Sequence, residues 1–349
     1  MKSTYKTEDV TLLLKDITGI VKPLGTKDRE AAIQAGTHYC EMLPLEYKPS
    51  DKYIEIYNNV LDVFAQSTAD AVARVAEEIY KIKGNKIVLV SLARAGTSVG
   101  VLIKRYLQNK YGIEVPHYSI SIIRDKGIDG NAMNYILERH SASEIQFVDG
   151  WVGKGAIFKE LEAALSDYPK VDCSLAVLAD PACLTSLCGT HEDILIPSSC
   201  LNSTISGLIS RTFLRADVIK DNEFHGAAYY EELISEDRTY EFIDAIERRF
   251  VYTLPEIEHI TDRSGVFEVN QIKDRFGVKT INFVKPGIGE TTRVLLRRVP
   301  WKVLVSKNHK DSIELKHVIQ LAKEKEVEIC YCEMKNYKCC GIIKNLEDA

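Results

Sequence analysis

No uncharged apolar run in this 349-residue chain approaches the ~18 residues that cross a bilayer, which excludes a membrane-spanning helix. Met1 to Asp9 lack the apolar segment of a secretory signal, so a cytoplasmic address is expected. The chain has neither a repeat at solenoid periods nor a low-complexity tract, which excludes a stacked-repeat architecture. Its nine cysteines, an odd number scattered from Cys40 to Cys340, make no disulfide framework and read as reduced thiols. A net charge of −5 argues against a protein that coats nucleic acid along its whole length.

What remains is ordinary globular material, 45% hydrophobic and 27% charged, enough for one large domain or, more comfortably, two. The charge is unevenly spread. From Lys285 to Lys344 there are 13 Lys and Arg against 7 Asp and Glu, a local +6 that leaves −11 for the rest. The last quarter is therefore expected to meet an anionic partner, although a solvated Lys/Glu helix face would look the same.

Apolar positions from Val60 to Ile79 recur at helical spacing and predict a long amphipathic helix closed by Gly84. Lys86–Val90, Tyr118–Ile123, Ile145–Val148 and Ser174–Leu178 read as short buried strands, and helical patterns follow the first and third. Alternating strands and helices predict an α/β fold with a mostly parallel sheet, whose ligands bind outside the carboxyl ends of the strands. A helix over Ser235–Arg249 and then Pro255 suggest a division into residues 1–254 and a smaller α/β unit, 255–349. That unit should hold strands at Val303–Val305, Val327–Tyr331 and near Ile342, with a helix over Ser312–Lys325.

Phe147-Val-Asp-Gly-Trp-Val-Gly-Lys-Gly155 carries the strongest chemical pattern, because it leaves a buried strand and opens a helix. Gly150, Val152, Gly153, Lys154, Gly155 and Ala156 are expected to cradle a phosphate on backbone N–H groups, with Lys154 adding charge. Asp149 stands where a carboxylate can accept ribose hydroxyls. A Gly-rich structural turn is the competing reading, and the absence of a Ser or Thr after Lys154 excludes the GxxxxGK[ST] loop. A second strand end, Ala93-Arg-Ala-Gly-Thr97, pairs small residues with an Arg94 fork suited to phosphate oxygens. Arg124 and Asp129, with Lys126 and Asn134, mark a candidate lid. His140 at its far end reads as an inert surface group. Ser198, Ser199, Asn202, Thr204 and Ser206, followed by Arg211, suggest a substrate-facing turn, helix capping explaining only one or two of them.

These residues resemble the type I phosphoribosyltransferases. Asp149 matches the first acid of that family's signature, Gly153 to Gly155 its phosphate loop and Ala93 to Gly96 its pyrophosphate loop. Gly150 stands where the second acid is usual. Through His38-Tyr-Cys-Glu-Met-Leu-Pro-Leu-Glu46, Ile123–Asp129, Ile196–Gly207 and Lys285–Arg298 the chain also resembles the phosphoribosyltransferase-like proteins of bacterial tellurium-resistance stress operons, some labelled StiP cysteine proteases. The resemblance implies a phosphoribosyl pyrophosphate or nucleotide ligand, Mg²⁺ held through ligand oxygens, and Asp149, Arg94 and Arg124 as catalytic groups. The reaction implied makes or cleaves an N-glycosidic bond in a stress-response pathway. It implies a C-terminal Pelota-like RNA-binding module, for which Arg297, Arg298 and Lys302 are the expected contacts, and leaves room for a homodimer. Two other functions stay open: a degenerate nucleotide sensor that binds RNA, and a cysteine-dependent hydrolase built on Cys183, Cys188, His191 or Cys200. Cys330, Cys332, Cys339 and Cys340 are spaced poorly for zinc and are expected to pack as core residues, so no protein-held metal is predicted.

Overall fold

The computed structural model describes residues 1–46 and 48–344, without the side chains of Thr26, Lys27, Glu30, Gln34 and Arg297. Two short strands, β1 (Thr11–Leu12) and β2 (Lys15–Asp16), precede helices α1 (Thr26–Gln34) and α2 (Asp51–Lys83). There follow β3 (Val88–Ala93), α3 (Ala95–Tyr111), β4 (His117–Ile123), β5 (Gly127–Ile128) and α4 (Gly130–Leu137). Next come β6 (Ile145–Trp151), α5 (Ala156–Ala164), β7 (Leu175–Ala179), β8 (Gly226–Ala227) and α6 (Thr239–Glu247). The second unit is built of α7 (Ser264–Arg275), β9 (Val284–Pro286), α8 (Ile288–Arg297), β10 (Pro300–Ser306), α9 (Lys316–Glu324), β11 (Glu328–Cys332) and β12 (Cys339–Ile343).

The fold is α/β. The main sheet runs β1-β4-β3-β6-β7 with parallel pairings, and β5 alone lies antiparallel, on β4. Alternation along β3 explains both covered faces. Val88, Val90 and Leu92 join the side chains of α4 and α5, while Leu89 joins those of α2 and α3 on the other side. α2 forms as its periodicity predicts: the Ser50 hydroxyl accepts from Tyr53 N–H at its start, and Gly84, at φ 61°, ends it. Its alanines let other backbone approach, and Gly189 lies so close that a Cβ would stand 2.3 Å from the Ala71 carbonyl oxygen.

The smaller sheet runs β11-β10-β12-β9. β10 separates the cysteines of β11 from those of β12, and Cys339 and Cys340 enter different apolar clusters, so the four thiols do not converge. α7 and α8 were not legible from the sequence. α8 carries Ile288 and Leu295 into the same apolar cluster as Val148, Leu195 and Ile196 of the larger unit. Each contributes about 1.5–3 kcal/mol on burial, so the two units share a core and the carboxyl edge of the main sheet is roofed by the second unit. Among the described residues, no helix is long and apolar enough to cross a membrane.

Candidate functional site

β6 continues through Asp149 to Trp151, and helix α3 starts only one residue after β3 ends, so both expected loops are shorter than the sequence suggested. They are neighbours: a Cβ on Gly96 would stand 2.5 Å from the Val148 oxygen and 3.0 Å from the Asp149 Cα. The space beside Gly150 is open, nothing lying within 4 Å of a Cβ placed there. α5 opens on Gly155, at φ 81°, with no side-chain cap on its first turn.

Several of the groups expected to hold a ligand are engaged elsewhere, and their roles are corrected. Lys154 donates to the carbonyls of Ile281 (2.6 Å) and Val284 (3.2 Å), and thus ties the loop to the second unit. Tyr337 reinforces that tie by donating to the Gly153 carbonyl at 2.6 Å. Arg94 donates to the Ile209 carbonyl at 2.7 Å and pairs with Glu46 at 3.1 Å. The Thr97 hydroxyl bonds Ser119 at 2.7 Å inside the core, and Val152 is a core residue. Asp129 is no lid residue; buried, it caps α4 by accepting from Asn131 and Ala132 and holds His225 N–H at 2.6 Å. His140 meets the Tyr118 hydroxyl at 2.9 Å.

Of the polar turn, Ser203, Thr204 and Ser206 are buried, and Ser206 donates to the Asn202 carbonyl at 2.8 Å. Local turn formation thus accounts for more of this stretch than expected. Ser198 is half-buried. Ser199 does face the cleft: with Trp151, Gly153, Asp193, Gly287 and Glu290 it lines a narrow cavity. Its hydroxyl is among the buried polar atoms without a partner within the described residues.

What converges on the sheet edge is positive charge. Arg211 and Arg124 lie 5.1 and 5.8 Å from the centre of the Tyr39 ring, and the Tyr39 hydroxyl accepts from Arg124 N–H at 2.9 Å. Burial, with Arg29, Arg94 and Arg293 nearby, lowers the Arg211 guanidinium to about 10 against the opposing effect of Tyr39. Lys154 is lowered to about 8 by burial and by Lys285, and Lys285 itself is lowered by burial. Arg293 lies over Trp151 and pairs with Glu290 at 3.0 Å. Burial works to raise Glu290, but Arg293, Lys285 and Lys154 hold it below the usual range. Asp149, accepting from Gly150 N–H at 2.8 Å, is raised to about 7 by burial despite that bond and Arg293. Lys285, Glu290 and Arg293 were missed because their charges had been counted with the basic C-terminal segment. Such a cleft is prepared for an anion, whose charge would relieve the repulsion among these groups.

The residues fit a protein-held Mg²⁺ poorly. Asp149 titrates near neutrality, Glu290 pairs with Arg293 and Asp193 accepts from Ile288 and Lys338 N–H, so the carboxyls here do not make the free, hard anionic donor set that ion needs. Mg²⁺ would enter only with a ligand's own oxygens.

Among the described residues, cysteine and histidine side chains meet in two places. On the turn Tyr39–Glu41 the Cys40 thiol lies 2.9 Å from His38 Nδ1, which also accepts from Cys40 N–H at 3.4 Å, and 3.5 Å from the Leu214 carbonyl, beside the Tyr39 that carries the two arginines. His38 Nε2 is buried and without a partner among the described residues. Burial, and then Glu41, raise the Cys40 thiol, with Lys126 opposing. The second contact joins Cys188 Sγ to His191 Nε2 at 3.5 Å. There the imidazole is already satisfied, Nδ1 donating to the Asp180 carbonyl and Nε2 accepting from Ile260 N–H, both at 3.0 Å. Cys188 is raised by burial. Of the remaining expected thiols, Cys183 meets the Asn336 amide at 3.6 Å and Cys200 is buried in the main core. Cys40 stands outside the thiols expected from the sequence, Cys183, Cys188 and Cys200, although His38 two residues before it is the signal that marks it.

Fold and site together define a two-unit α/β protein whose sheet edge forms a cation-rich cleft under its second domain. Residues 3–247 match the family described as "Tellurite-like stress resistance cysteine protease StiP", and residues 263–345 match the PELOTA RNA binding domain. The chain belongs to the StiP family. It is 34% identical over 365 aligned positions, covering 98% of this chain and 94% of the relative, to the "Cysteine protease StiP" of Acinetobacter baylyi. Two structures of Trypanosoma cruzi hypoxanthine phosphoribosyltransferase, one a mutant complexed with the product IMP, align at 20% and 21% identity. They cover 39% and 40% of this chain and 72% and 67% of theirs, each at a TM-score of 0.24, too slight to bear on function.

Proposed function

We propose that this chain is a cysteine-dependent hydrolase in which Cys40 is the nucleophile and His38 its base, acting on an acidic polypeptide. The observation that carries it is the 2.9 Å contact between the Cys40 thiol and an imidazole whose other nitrogen has no partner among the described residues. In the step proposed, Sγ attacks the acyl carbon while His38 Nδ1 takes the thiol proton and passes it to the departing amine. Water then cleaves the thioester and restores the thiol. The arginines around Tyr39 would select negative charge in the substrate. Because Cys40 is fully covered and its thiol raised, substrate must open the turn, and the free protein should resist alkylation there. The name of the Acinetobacter relative supports the same chemistry.

The test is hydrolysis of fluorescent acidic peptides by the full chain. Cys40→Ser should abolish turnover, and the exposed Cys173→Ser should leave it intact. Turnover unchanged in Cys40→Ser would refute the assignment.

A second reading is carried by the cleft itself. Arg211, Arg293 and the uncapped start of α5 would suit a phosphorylated ligand such as phosphoribosyl pyrophosphate or a nucleotide, with Mg²⁺ on its oxygens. Titration with phosphoribosyl pyrophosphate and Mg²⁺, followed by an assay for pyrophosphate release, separates binding from transfer. For the second domain we infer an RNA contact at Arg298, Trp301 and Lys302. Arg298 and Trp301 are exposed, and the Lys302 ammonium lies 5.1 Å from the Trp301 ring centre while pairing with Glu328. Arg297 ends α8, but its side chain lies outside the described residues.

A further inference from the structure

We propose that Cys188, His191 and His259 form a binding site for a zinc-type divalent cation that fastens the linker between the two domains to the first of them. Their donor atoms all lie within 4.8 Å of one another, with Cys188 Sγ 3.5 Å from His191 Nε2 and 4.0 Å from His259 Nδ1. A tetrahedral ion bonded at about 2.3 Å to sulfur and about 2.0–2.1 Å to nitrogen holds those atoms roughly 3.5 Å apart. One thiolate and two imidazoles make a donor set that suits zinc and disfavours magnesium or calcium.

The surroundings supply what such a site needs. His191 donates from Nδ1 to the Asp180 carbonyl at 3.0 Å, which fixes the tautomer that leaves Nε2 able to bind a metal. Asp180 is wholly buried, its Oδ2 lies 3.8 Å from His191 Nδ1, and its Oδ1 has no partner among the described residues. A cation next to that imidazole would compensate the carboxylate. Cys188 is held by its bridge to Val177, and Gly189 packs against α2, so two of the donors sit on rigid framework. The third, His259, comes from the irregular stretch between α6 and α7. The Ile260 N–H donates to the His191 Nε2 lone pair and must turn aside as the ion enters. Binding exchanges the Cys188 thiol proton, released to water, for the metal–sulfur bond. The site leaves the fourth position to water and is separate from the Cys40 turn.

Co²⁺ added to the metal-free full chain is the test, read by the near-ultraviolet thiolate-to-cobalt absorption. One ion per chain is expected, displaced by Zn²⁺, with proteolysis of residues 250–263 slowed by either metal. His259→Ala, on the linker and away from the core, should weaken binding by roughly tenfold or more, and Cys188→Ser should remove the absorption. Absence of the band in the folded full chain would overturn the proposal. So would a band that persists at full strength in His259→Ala. A band lost together with linker protection in that variant supports it even if Cys188→Ser does not fold.

Discussion

The two cysteine–histidine clusters of this chain use the same residue types in opposite electrostatic settings. At the Cys40 turn, His38 Nδ1 meets both the thiol and Cys40 N–H, Nε2 has no partner among the described residues, and arginines gather over the intervening Tyr39. At Cys188 the imidazole is bonded on both nitrogens, a second imidazole faces the sulfur, and the Asp180 carboxyl, raised to about 7 by burial, lies 3.8 Å from His191 Nδ1. His38 Nδ1 is the accepting nitrogen of its ring and faces the thiol, which suits the proton transfer proposed there. A locked tautomer with a buried carboxyl alongside suits the cation proposed at Cys188. Residue type alone does not separate a nucleophile from a ligand; the partner of the second ring nitrogen does.

The sharpest way to break this comparison is to remove the first pair. Cys40→Ser should lower hydrolysis by about a thousandfold or more, and His38→Ala by roughly 10²–10⁴-fold, measured as kcat/KM on acidic peptides. A chelator should leave that rate unchanged, because the metal proposed at Cys188 takes no part in it.

A smaller effect is expected from the cations that flank Cys40. Arg211→Ala should weaken binding of sulfate, or of an acidic peptide, by about 1.5–3 kcal/mol, the worth of a charged hydrogen bond, read by calorimetry. Smaller again is the pH dependence. Asp149 gains negative charge as pH rises through about 7, and Lys154 loses positive charge through about 8. Both changes disfavour an anion, so sulfate, whose own charge is constant in this range, should bind more weakly at pH 9 than at pH 6. Affinity that rises over that interval would contradict the placement of these groups in the binding cleft.

The smallest predicted change lies on the second domain. Arg298→Ala or Lys302→Ala should each reduce the salt dependence of structured-RNA binding by about one ion in the log–log slope. An unchanged slope would show that this end of β10 is not the nucleic-acid face.

Much of the first domain was legible in its sequence, because β-branched runs and the 3.6-residue rhythm of α2 report burial directly. Asp149 and Gly96 were placed at neighbouring strand ends for the same reason. Charges were harder to place. Lys154 and Arg94 were expected to face a ligand, yet sequence does not reveal that Ile281, Val284, Glu46 and Ile209 accept from them. Nor does it reveal that α8 roofs the sheet edge, which brings Lys285 and Arg293 of the basic C-terminal segment beside Lys154 and Arg211. The polar run from Ser198 to Ser206 misled because hydroxyls that close tight turns look the same in sequence as hydroxyls that face a substrate.

Trapping the covalent intermediate tests the central claim most directly. The full chain, mixed with an acidic peptide ester and quenched in acid within the first turnover, should carry the acyl group on the peptide that contains Cys40. An acyl group found on Cys188 or any other thiol, or rapid hydrolysis with no thioester formed, would contradict it.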